Sequence, residues 1–129
     1  MKLYDYFRSG AAYRTRIALN LKEVEYEQIS VNLTKGGGEQ FEAVYSDINP
    51  QSLVPTLMDG EVKIFQSMAI MEYLEEKFPA PSLLPSDPSS RARVRHPGWR
   101  KVLHKNPVIS YEFLIKNHRQ QYGFGQQQR

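Results

Sequence analysis

The sequence predicts an α/β fold with a mixed β-sheet and helices on both of its faces, and three observations support this prediction. A short strand at residues 2–6 leads into an amphipathic helix that runs to about Lys22. Asp59 and Gly60 separate two short strands and form a strong hairpin signal. A second amphipathic helix begins at Ser67. Because a hairpin pairs strands antiparallel and a helical crossover pairs them parallel, the order β-α-β-α-β-β-α predicts both pairings in one sheet.

The turn between the first strand and the first helix is the most informative stretch of the chain. Ser9 lies there, where the first backbone N–H groups of a helix lack partners and the helix dipole favours negative charge. Its hydroxyl can cap the helix or donate a hydrogen bond to a bound anion. Residues 10–12 are Gly-Ala-Ala and leave room for a ligand. The residues alone leave both roles of Ser9 open.

The elements between this helix and the hairpin are shorter. Residues 25–31 alternate charged and apolar side chains and predict a strand, and residues 35–38 interrupt regular structure. A short helix is expected over residues 40–45, ending near Pro50. Pro55 opens the first hairpin strand, so it must lie at a sheet edge, at a first strand position or at a bulge.

The last predicted helix has a clear apolar side. Ile70 and Leu74 lie on that side, glutamates lie on the other, and the helix ends at Phe78. Ser67 is its expected N-cap, a position that also suits a ligand carboxylate. Residues 79–90 are rich in proline and serine and have the composition of a linker.

Composition excludes several kinds of protein. The chain has no cysteine, so the protein itself forms no disulfide, thiolate metal site or cysteine redox centre. Any thiol chemistry would need a thiol supplied by a ligand. No apolar run approaches the roughly 20 residues that cross a bilayer, and the N-terminus has no signal-peptide pattern. We therefore expect a cytoplasmic protein with no membrane partner.

Charge is distributed unevenly along the chain. Residues 1–95 carry 11 Lys+Arg against 13 Asp+Glu, a net charge of −2, whereas residues 96–129 carry 6 against 1, a net charge of +5. The basic character belongs to this tail, which has no nucleic-acid-binding motif, so no nucleic-acid partner is expected. All three histidines also lie in the tail without metal-ligand spacing, so no metal site is expected.

Three groups of residues match one known family. They are Tyr6-Phe7-Arg8-Ser9 with residues 14–22, Asn49-Pro50-Gln51 with residues 53–57, and Gln66-Ser67 with residues 68–76. On these motifs the chain resembles the zeta-class glutathione transferases, and within them the bacterial maleylacetoacetate isomerases. The likeness continues to residue 95 and covers about three quarters of the chain.

The resemblance implies a thioredoxin-like glutathione-binding domain at residues 1–80. Residues 81–95 are then a linker and the start of a helix. Residues 96–129 do not match the family and form an atypical basic tail, and their composition predicts disorder over the last ten residues. On the resemblance, we expect the helical C-terminal domain of the family to be largely missing. A frameshift, a truncated gene or a replaced exon is our hypothesis for this change. Reading the encoding DNA in its other frames beyond Arg95 tests the hypothesis, and finding no helical-domain sequence there would reject it.

The resemblance also implies a set of site residues. Glutathione is the expected cofactor, bound by Ser9, Gln51, Val54, Pro55, Gln66 and Ser67. Ser9 is expected to support the glutathione thiolate, Val54 to offer its backbone to the cysteinyl part, and Pro55 to be cis. Gln66 and Ser67 are expected to hold the γ-glutamyl end. Arg8 is the second candidate catalytic residue, for a substrate carboxylate, and a solvated arginine is the alternative.

The implied reaction is the glutathione-dependent cis-trans isomerisation of maleylacetoacetate to fumarylacetoacetate, in tyrosine and phenylalanine breakdown. It proceeds by thiolate addition to the cis double bond of an enedione, rotation and elimination. The Arg8-Ser9-Gly10 sequence departs from the commoner family signature and resembles maleylpyruvate isomerases, so that substrate stays open. General glutathione transfer and a non-catalytic binding module are further alternatives, and family analogy suggests a homodimer. Arg14 and Arg16 are interpreted as structural ion-pair partners.

Overall fold

The computed structural model describes residues 1–95. The strands are β1 (Lys2–Asp5), β2 (Glu27–Ser30), β3 (Thr56–Asp59) and β4 (Val62–Phe65). The helices are α1 (Gly10–Leu21), α2 (Ala43–Ser46), α3 (Ser67–Lys77) and α4 (Pro88–Arg95). Strands and helices β1 to α3 belong to one compact unit, Met1–Pro79, and α4 belongs to a second that begins at Ala80.

The four strands form one mixed sheet in the order β2-β1-β3-β4. β1 is parallel to β2 and antiparallel to β3, and β3 is antiparallel to β4, which confirms the predicted mixed pairing. Tyr4, Thr56 and Phe65 lie in register across three strands. The end of β1, the beginning of β3 and the end of β4 therefore meet at one end of the sheet.

The hydrophobic core of the first unit lies between this sheet and two helices. Its largest wholly buried side chains come from β1, β3, α1 and α3, and are Leu3, Leu57, Leu19, Ile70 and Leu74. α1 packs on α3, and α3 packs on β3 and β4. Burying each such side chain contributes roughly 1.5 to 3 kcal/mol, so this contact fixes both helices on the sheet.

A buried ion pair joins the C-terminal ends of α1 and α3. Lys22, the C-cap of α1, donates from Nζ to Glu75 Oε2 at 2.5 Å and to the Phe78 carbonyl at 2.6 Å. The Lys22 side chain is fully buried and that of Glu75 is 7% exposed. Buried charges are tolerated only when paired and hydrogen-bonded, so this contact specifies how the two helices end against each other.

The chain between β2 and β3 differs from the prediction of one short helix over residues 40–45. It forms two 3₁₀ turns, Lys35–Gly37 and Glu39–Phe41, followed by α2. The interruption lies at Gly38, which has φ of 115°. Residues with a Cβ rarely adopt this φ, so the interruption favours glycine.

α4 begins beside an acidic residue that accepts hydrogen bonds from the first turn. Asp87 Oδ1 accepts the Ser90 backbone N–H at 2.9 Å and the Ser89 hydroxyl at 2.8 Å. These hydrogen bonds, of which those from Ser90 have the largest effect, lower the pKa of the exposed Asp87 carboxyl to about 2. Over residues 1–95, no helix is both long and apolar enough to span a bilayer. The predictions for the tail, residues 96–129, lie outside the described residues.

Candidate functional site

Three segments of the chain meet at the end of the sheet defined by Tyr4, Thr56 and Phe65. One follows β1 and contains Arg8 and Ser9. Another precedes β3 and contains Val54 and Pro55. The third follows β4 and contains Gln66 and Ser67. Neighbouring strands lie about 4.8 Å apart, so the segment after β1 and the one after β4 are separated by two strand spacings, roughly 10 Å.

Ser9 is the N-cap of α1, as one of its two predicted roles requires. Its backbone is extended, with φ of −75° and ψ of 116°, and its Oγ accepts the Ala12 N–H at 3.2 Å. The Ser9 N–H donates to the Tyr6 carbonyl at 2.9 Å, which closes the turn after β1. The side chain is partly exposed. Because a hydroxyl has one donor and two acceptor positions, this cap leaves the Ser9 proton available.

An ion pair beneath the turn fixes its backbone. The Arg16 guanidinium binds the Asp5 carboxylate, which is 1% exposed, and also donates to the Phe7 carbonyl at 3.5 Å. The ion-pair interpretation of Arg16 is confirmed. For Arg14 it is wrong within residues 1–95, because its Nε donates to the Gly10 carbonyl at 3.4 Å instead. The two arginines are two positions apart on α1 and therefore lie on different sides of the helix, and only Arg16 reaches Asp5.

Arg8 is exposed at the same turn. Its guanidinium lies 5.3 Å from the centre of the Phe7 ring, which is 66% exposed. No ion pair within the described range involves Arg8. The geometry fits both interpretations made from the sequence, a solvated arginine and a cation that can reach a ligand carboxylate.

The segment before β3 presents free backbone groups. The Val54–Pro55 peptide is cis, as the resemblance implies, and Pro55 is buried immediately before the strand. Of the three positions predicted for Pro55, a sheet edge is excluded, because β3 is paired on both sides, by β1 and by β4, and Pro55 directly precedes its first residue. Val54 itself lies outside that pairing. Its N–H and carbonyl make no hydrogen bond to residues of the described range, and its side chain is half-buried.

A buried polar network underlies this segment. The Leu53 carbonyl accepts the Tyr45 hydroxyl at 2.5 Å and Asn49 Nδ2 at 2.8 Å. The same two side chains reach Thr56 Oγ1, at 2.8 and 3.0 Å. Burial raises the pKa of the Tyr45 hydroxyl above its ordinary value. Sequence reasoning missed the part played by Tyr45, which lies outside the family motifs. Asn49 and Thr56 lie inside them, but the sequence gave neither a role in this network.

The segment after β4 departs from the prediction that Ser67 caps α3. Ser67 is the first residue of the helix and is buried, and the N-cap is Gln66, whose side chain makes no capping hydrogen bond. Gln66 has φ of 69° and ψ of 122°, a conformation that costs a residue with a side chain about 1 to 3 kcal/mol. Its Nε2 donates to Gln51 Oε1 at 2.7 Å. The prediction fails because the chain turns one residue earlier, through a left-handed glutamine.

The electrostatics of this end of the sheet favour an anion. α1 and α3 both begin here, and neither has an acidic residue in its first turn. The partial positive charge of each helix N-terminus is therefore not offset by a neighbouring side chain. Within residues 1–95 no three His, Cys, Asp or Glu side chains are grouped so that they could hold a metal ion. This end of the sheet therefore favours a ligand with an anionic group.

Comparison with known proteins identifies a family for most of the described chain. Residues 1–76 match the family described as glutathione S-transferase, N-terminal domain. A probable maleylacetoacetate isomerase of Vibrio cholerae is 50% identical over 93 residues, which are 72% of this chain and 43% of the relative. The chain therefore spans less than half the length of such a relative.

Two solved structures extend the comparison. A bacterial zeta-class maleyl pyruvate isomerase superposes with a TM-score of 0.72 at 40% identity, covering 97% of this chain and 57% of that one. A maleylacetoacetate isomerase of Methylobacterium extorquens AM1, with bound malonate and glutathione, superposes with a TM-score of 0.71 at 38% identity, covering the same two shares.

Proposed function

The chain belongs to the glutathione S-transferase family through its N-terminal domain, and on that premise we propose that it is a glutathione-dependent cis-trans isomerase of the maleylacetoacetate type. The relatives at about this identity carry the name of that activity. The observation that carries the proposal is the meeting of the Ser9, Val54 and Gln66 segments at one sheet end. The relatives are longer than this chain, and the match covers 43% of the Vibrio cholerae protein. Their activity is therefore a proposal for this chain.

The size of the site fits glutathione. The segments that hold Ser9 and Gln66 are separated by roughly 10 Å, two strand spacings. An extended tripeptide is also about 10 Å long, at 3.3 to 3.6 Å per residue. In the proposed complex the peptide lies across the end of the sheet, with its thiol toward Ser9 and its γ-glutamyl end toward Gln66.

The α3 terminus supplies the site for the γ-glutamyl carboxylate. Gln66 provides no capping side chain, so the first N–H groups of α3 are available to an anion, together with the Ser67 hydroxyl. The Gln66 and Gln51 amides, joined at 2.7 Å, form a polar rim beside that terminus. These groups suit a charged amino acid end better than an apolar one.

Val54 supplies the site for the cysteinyl part. Its N–H and carbonyl have no partner within residues 1–95, and both are in the segment between the Ser9 and Gln66 segments. A peptide-like ligand pairs with such backbone groups as an added strand does. Pro55 would then limit the length of that pairing, since it has no N–H.

Ser9 combines its two predicted roles in this proposal. Its Oγ keeps the Ala12 N–H while its own proton is donated to the ligand sulfur. When bound, glutathione supplies a thiolate that adds reversibly to the cis double bond, permits rotation and is released unchanged. A free thiol has a pKa of about 8.5, so a hydroxyl donor and the α1 N-terminus raise the thiolate fraction near neutral pH. Arg8 would hold the substrate carboxylate.

The test is glutathione-dependent isomerisation of maleylacetone, followed by loss of cis-enedione absorbance, with the chain and its Ser9→Ala variant. We expect turnover that requires glutathione and falls by at least about tenfold in the variant, since a hydrogen bond to a charged group contributes about 1.5 to 3 kcal/mol. Ser86→Ala, in the second unit, is the matched control and should turn over normally. A folded chain that binds glutathione without turnover would reject the enzyme and support a non-catalytic binding module.

A second candidate substrate is maleylpyruvate. The Arg8-Ser9-Gly10 sequence and the structural match to a maleyl pyruvate isomerase favour it. Maleylpyruvate assayed beside maleylacetone separates the two candidates by their kcat/KM values. The proposed placement in tyrosine and phenylalanine breakdown requires maleylacetone to be preferred, and a homodimer would appear in the sedimentation of the same sample.

A further inference from the structure

We propose that Tyr45, Asn49 and Thr56 act together as positioning residues that aim the Val54 N–H at the cysteinyl part of glutathione. The inference rests on the proposed glutathione site, and it assigns to these three buried side chains a part in ligand binding. None of them is placed to touch the ligand. They act through the peptide that joins Leu53 to Val54.

Two buried side chains hold the Leu53 carbonyl. It accepts two hydrogen bonds, from the Tyr45 hydroxyl at 2.5 Å and from Asn49 Nδ2 at 2.8 Å. Tyr45 is 4% exposed and Asn49 is 1% exposed. A carbonyl oxygen has two lone pairs, so both acceptor positions are used by buried donors. The direction of this carbonyl is therefore fixed toward the interior.

The planarity of the peptide bond then sets the direction of the Val54 N–H. The Leu53–Val54 peptide is trans, since the cis bonds of the described chain precede Pro55 and Pro81. In a trans peptide the carbonyl and the next N–H point in opposite directions within one plane. Holding the Leu53 carbonyl inward therefore turns the Val54 N–H outward. That N–H has no partner within residues 1–95.

Thr56 anchors this network on the sheet. Thr56 is the first residue of β3, is fully buried and shares Tyr45 and Asn49 with Leu53. The same pair of side chains thus holds both flanks of the Val54-Pro55 dipeptide. A loop that is held at both flanks loses less conformational entropy when a ligand binds.

Asn49 extends the network toward the other end of the ligand. Its Oδ1 accepts the Gln51 N–H at 3.0 Å, and Gln51 in turn accepts from Gln66 at 2.7 Å. Asn49 therefore uses its amide donors on the Val54 side and its amide oxygen on the Gln51 side. One buried side chain coordinates two of the proposed glutathione contacts.

The test measures binding of glutathione and of S-methylglutathione by titration calorimetry to Tyr45→Phe and Thr56→Val. Each variant keeps its shape and loses one hydroxyl. We expect both ligands to bind about three- to tenfold more weakly to each variant, since one hydrogen bond is worth about 0.5 to 1.5 kcal/mol. The loss should be equal for the two ligands, because the cysteinyl backbone is the same in both. Ser9→Ala, in contrast, should weaken the binding of glutathione and leave the binding of S-methylglutathione unchanged.

Ile17→Val serves as the control for a purely structural effect. Ile17 is a buried α1 residue outside the network, and this substitution costs about 0.5 to 1.5 kcal/mol of stability. If the network variants lose affinity and Ile17→Val does not, the positioning role is supported. If all three variants bind both ligands as the parent does, or lose affinity equally, the role is rejected and the glutathione site stands. If the folded parent binds neither ligand, the proposed function fails and this inference is rejected with it.

Discussion

The turn at Ser9 and the turn at Gln66 both lead from a strand into a helix at the same end of the sheet, yet they begin those helices differently. At the first, an extended serine caps α1 by accepting the Ala12 N–H. At the second, a left-handed glutamine precedes α3 and provides no side-chain cap. The first turn supplies an acceptor for a backbone N–H of its own helix. The second supplies none, so the first backbone N–H groups of α3 are available to a ligand.

This difference separates stability from binding. A serine cap contributes about 1 kcal/mol to folding, whereas an uncapped helix start with a strained residue lowers stability. Strained residues persist where the surrounding structure determines their conformation, and they cluster at ligand sites. We therefore expect substitutions at the Ser9 turn to change stability and thiol chemistry, and substitutions at the Gln66 turn to change affinity.

The largest expected effect would disturb both turns together, through the ion pair at the far ends of α1 and α3. Glu75→Ala removes the carboxylate that pairs with the buried Lys22 ammonium, while the Phe78 carbonyl still accepts from Lys22. Breaking a buried pair by removing one partner costs about 3 to 5 kcal/mol. The urea midpoint should fall accordingly, while Glu76→Ala, at the exposed neighbouring residue, should change it by less than about 0.5 kcal/mol. Equal midpoints for the two variants would contradict this role of Glu75.

A smaller effect distinguishes the two serines directly. Ser9→Ala removes a cap and should lower the free energy of unfolding by about 0.5 to 2 kcal/mol. Ser67→Ala removes no cap, so its loss of stability should be smaller. In addition, Ser9→Ala should raise the pKa of the bound glutathione thiol, measured by ultraviolet titration of the thiolate. A larger stability loss at Ser67 than at Ser9 would reverse the comparison.

Gln66→Gly should maintain or raise the stability of the fold while weakening the binding of glutathione. Glycine accepts the φ of 69° without a Cβ, so the free energy of unfolding should stay level or rise by up to about 1 kcal/mol. The affinity should fall because the Gln66 amide and its bond to Gln51 are lost. Gln66→Ala is the matched variant, since it loses the same amide and keeps the Cβ. Calorimetry and urea unfolding of both variants separate the two effects, and a stabilised Gln66→Ala would argue against strain at this residue.

The smallest expected effect concerns pH and the segment between the two turns. Burial raises the pKa of the Tyr45 hydroxyl in the folded chain, so above about pH 10 the unfolded chain loses that proton first. Stability contributed by Tyr45 is therefore complete below about pH 10 and declines as the pH rises through that value. The difference in unfolding free energy between the parent and Tyr45→Phe should shrink over the same range. A difference that stays constant into strong alkali would contradict a raised pKa.

Local patterns in the sequence were sufficient for most of the fold. Alternation, the Asp59-Gly60 turn and helical periodicity predict four strands and the two long helices, and the structure confirms the mixed sheet. The cap at Ser9 was also predictable, because an N-cap depends on residues a few positions apart. The short helix predicted over residues 40–45 was wrong in its details, because Glu39–Phe41 form a 3₁₀ turn and α2 begins only at Ala43.

The candidate site was predictable as a set of residues and not as a geometry. Its network joins Tyr45, Asn49 and Thr56, whose contact is made only when β3 and the α2 region come together. The positive φ of Gln66 gave no local signal either, because glutamine rarely adopts it without a tertiary constraint. Residue types therefore indicated which groups take part, and only the fold gives their directions.

The direction of β3 has a consequence for how folding and ligand binding are coupled. Because β3 runs opposite to β1 and β4, the three site segments come from the beginning, middle and end of the unit and exist together only when these three strands are paired. A ligand of this site would bind the native chain and no partly folded form. Glutathione at about a hundred times its dissociation constant would then add about 2.7 kcal/mol to stability, so the cellular thiol pool would act as a reserve against unfolding.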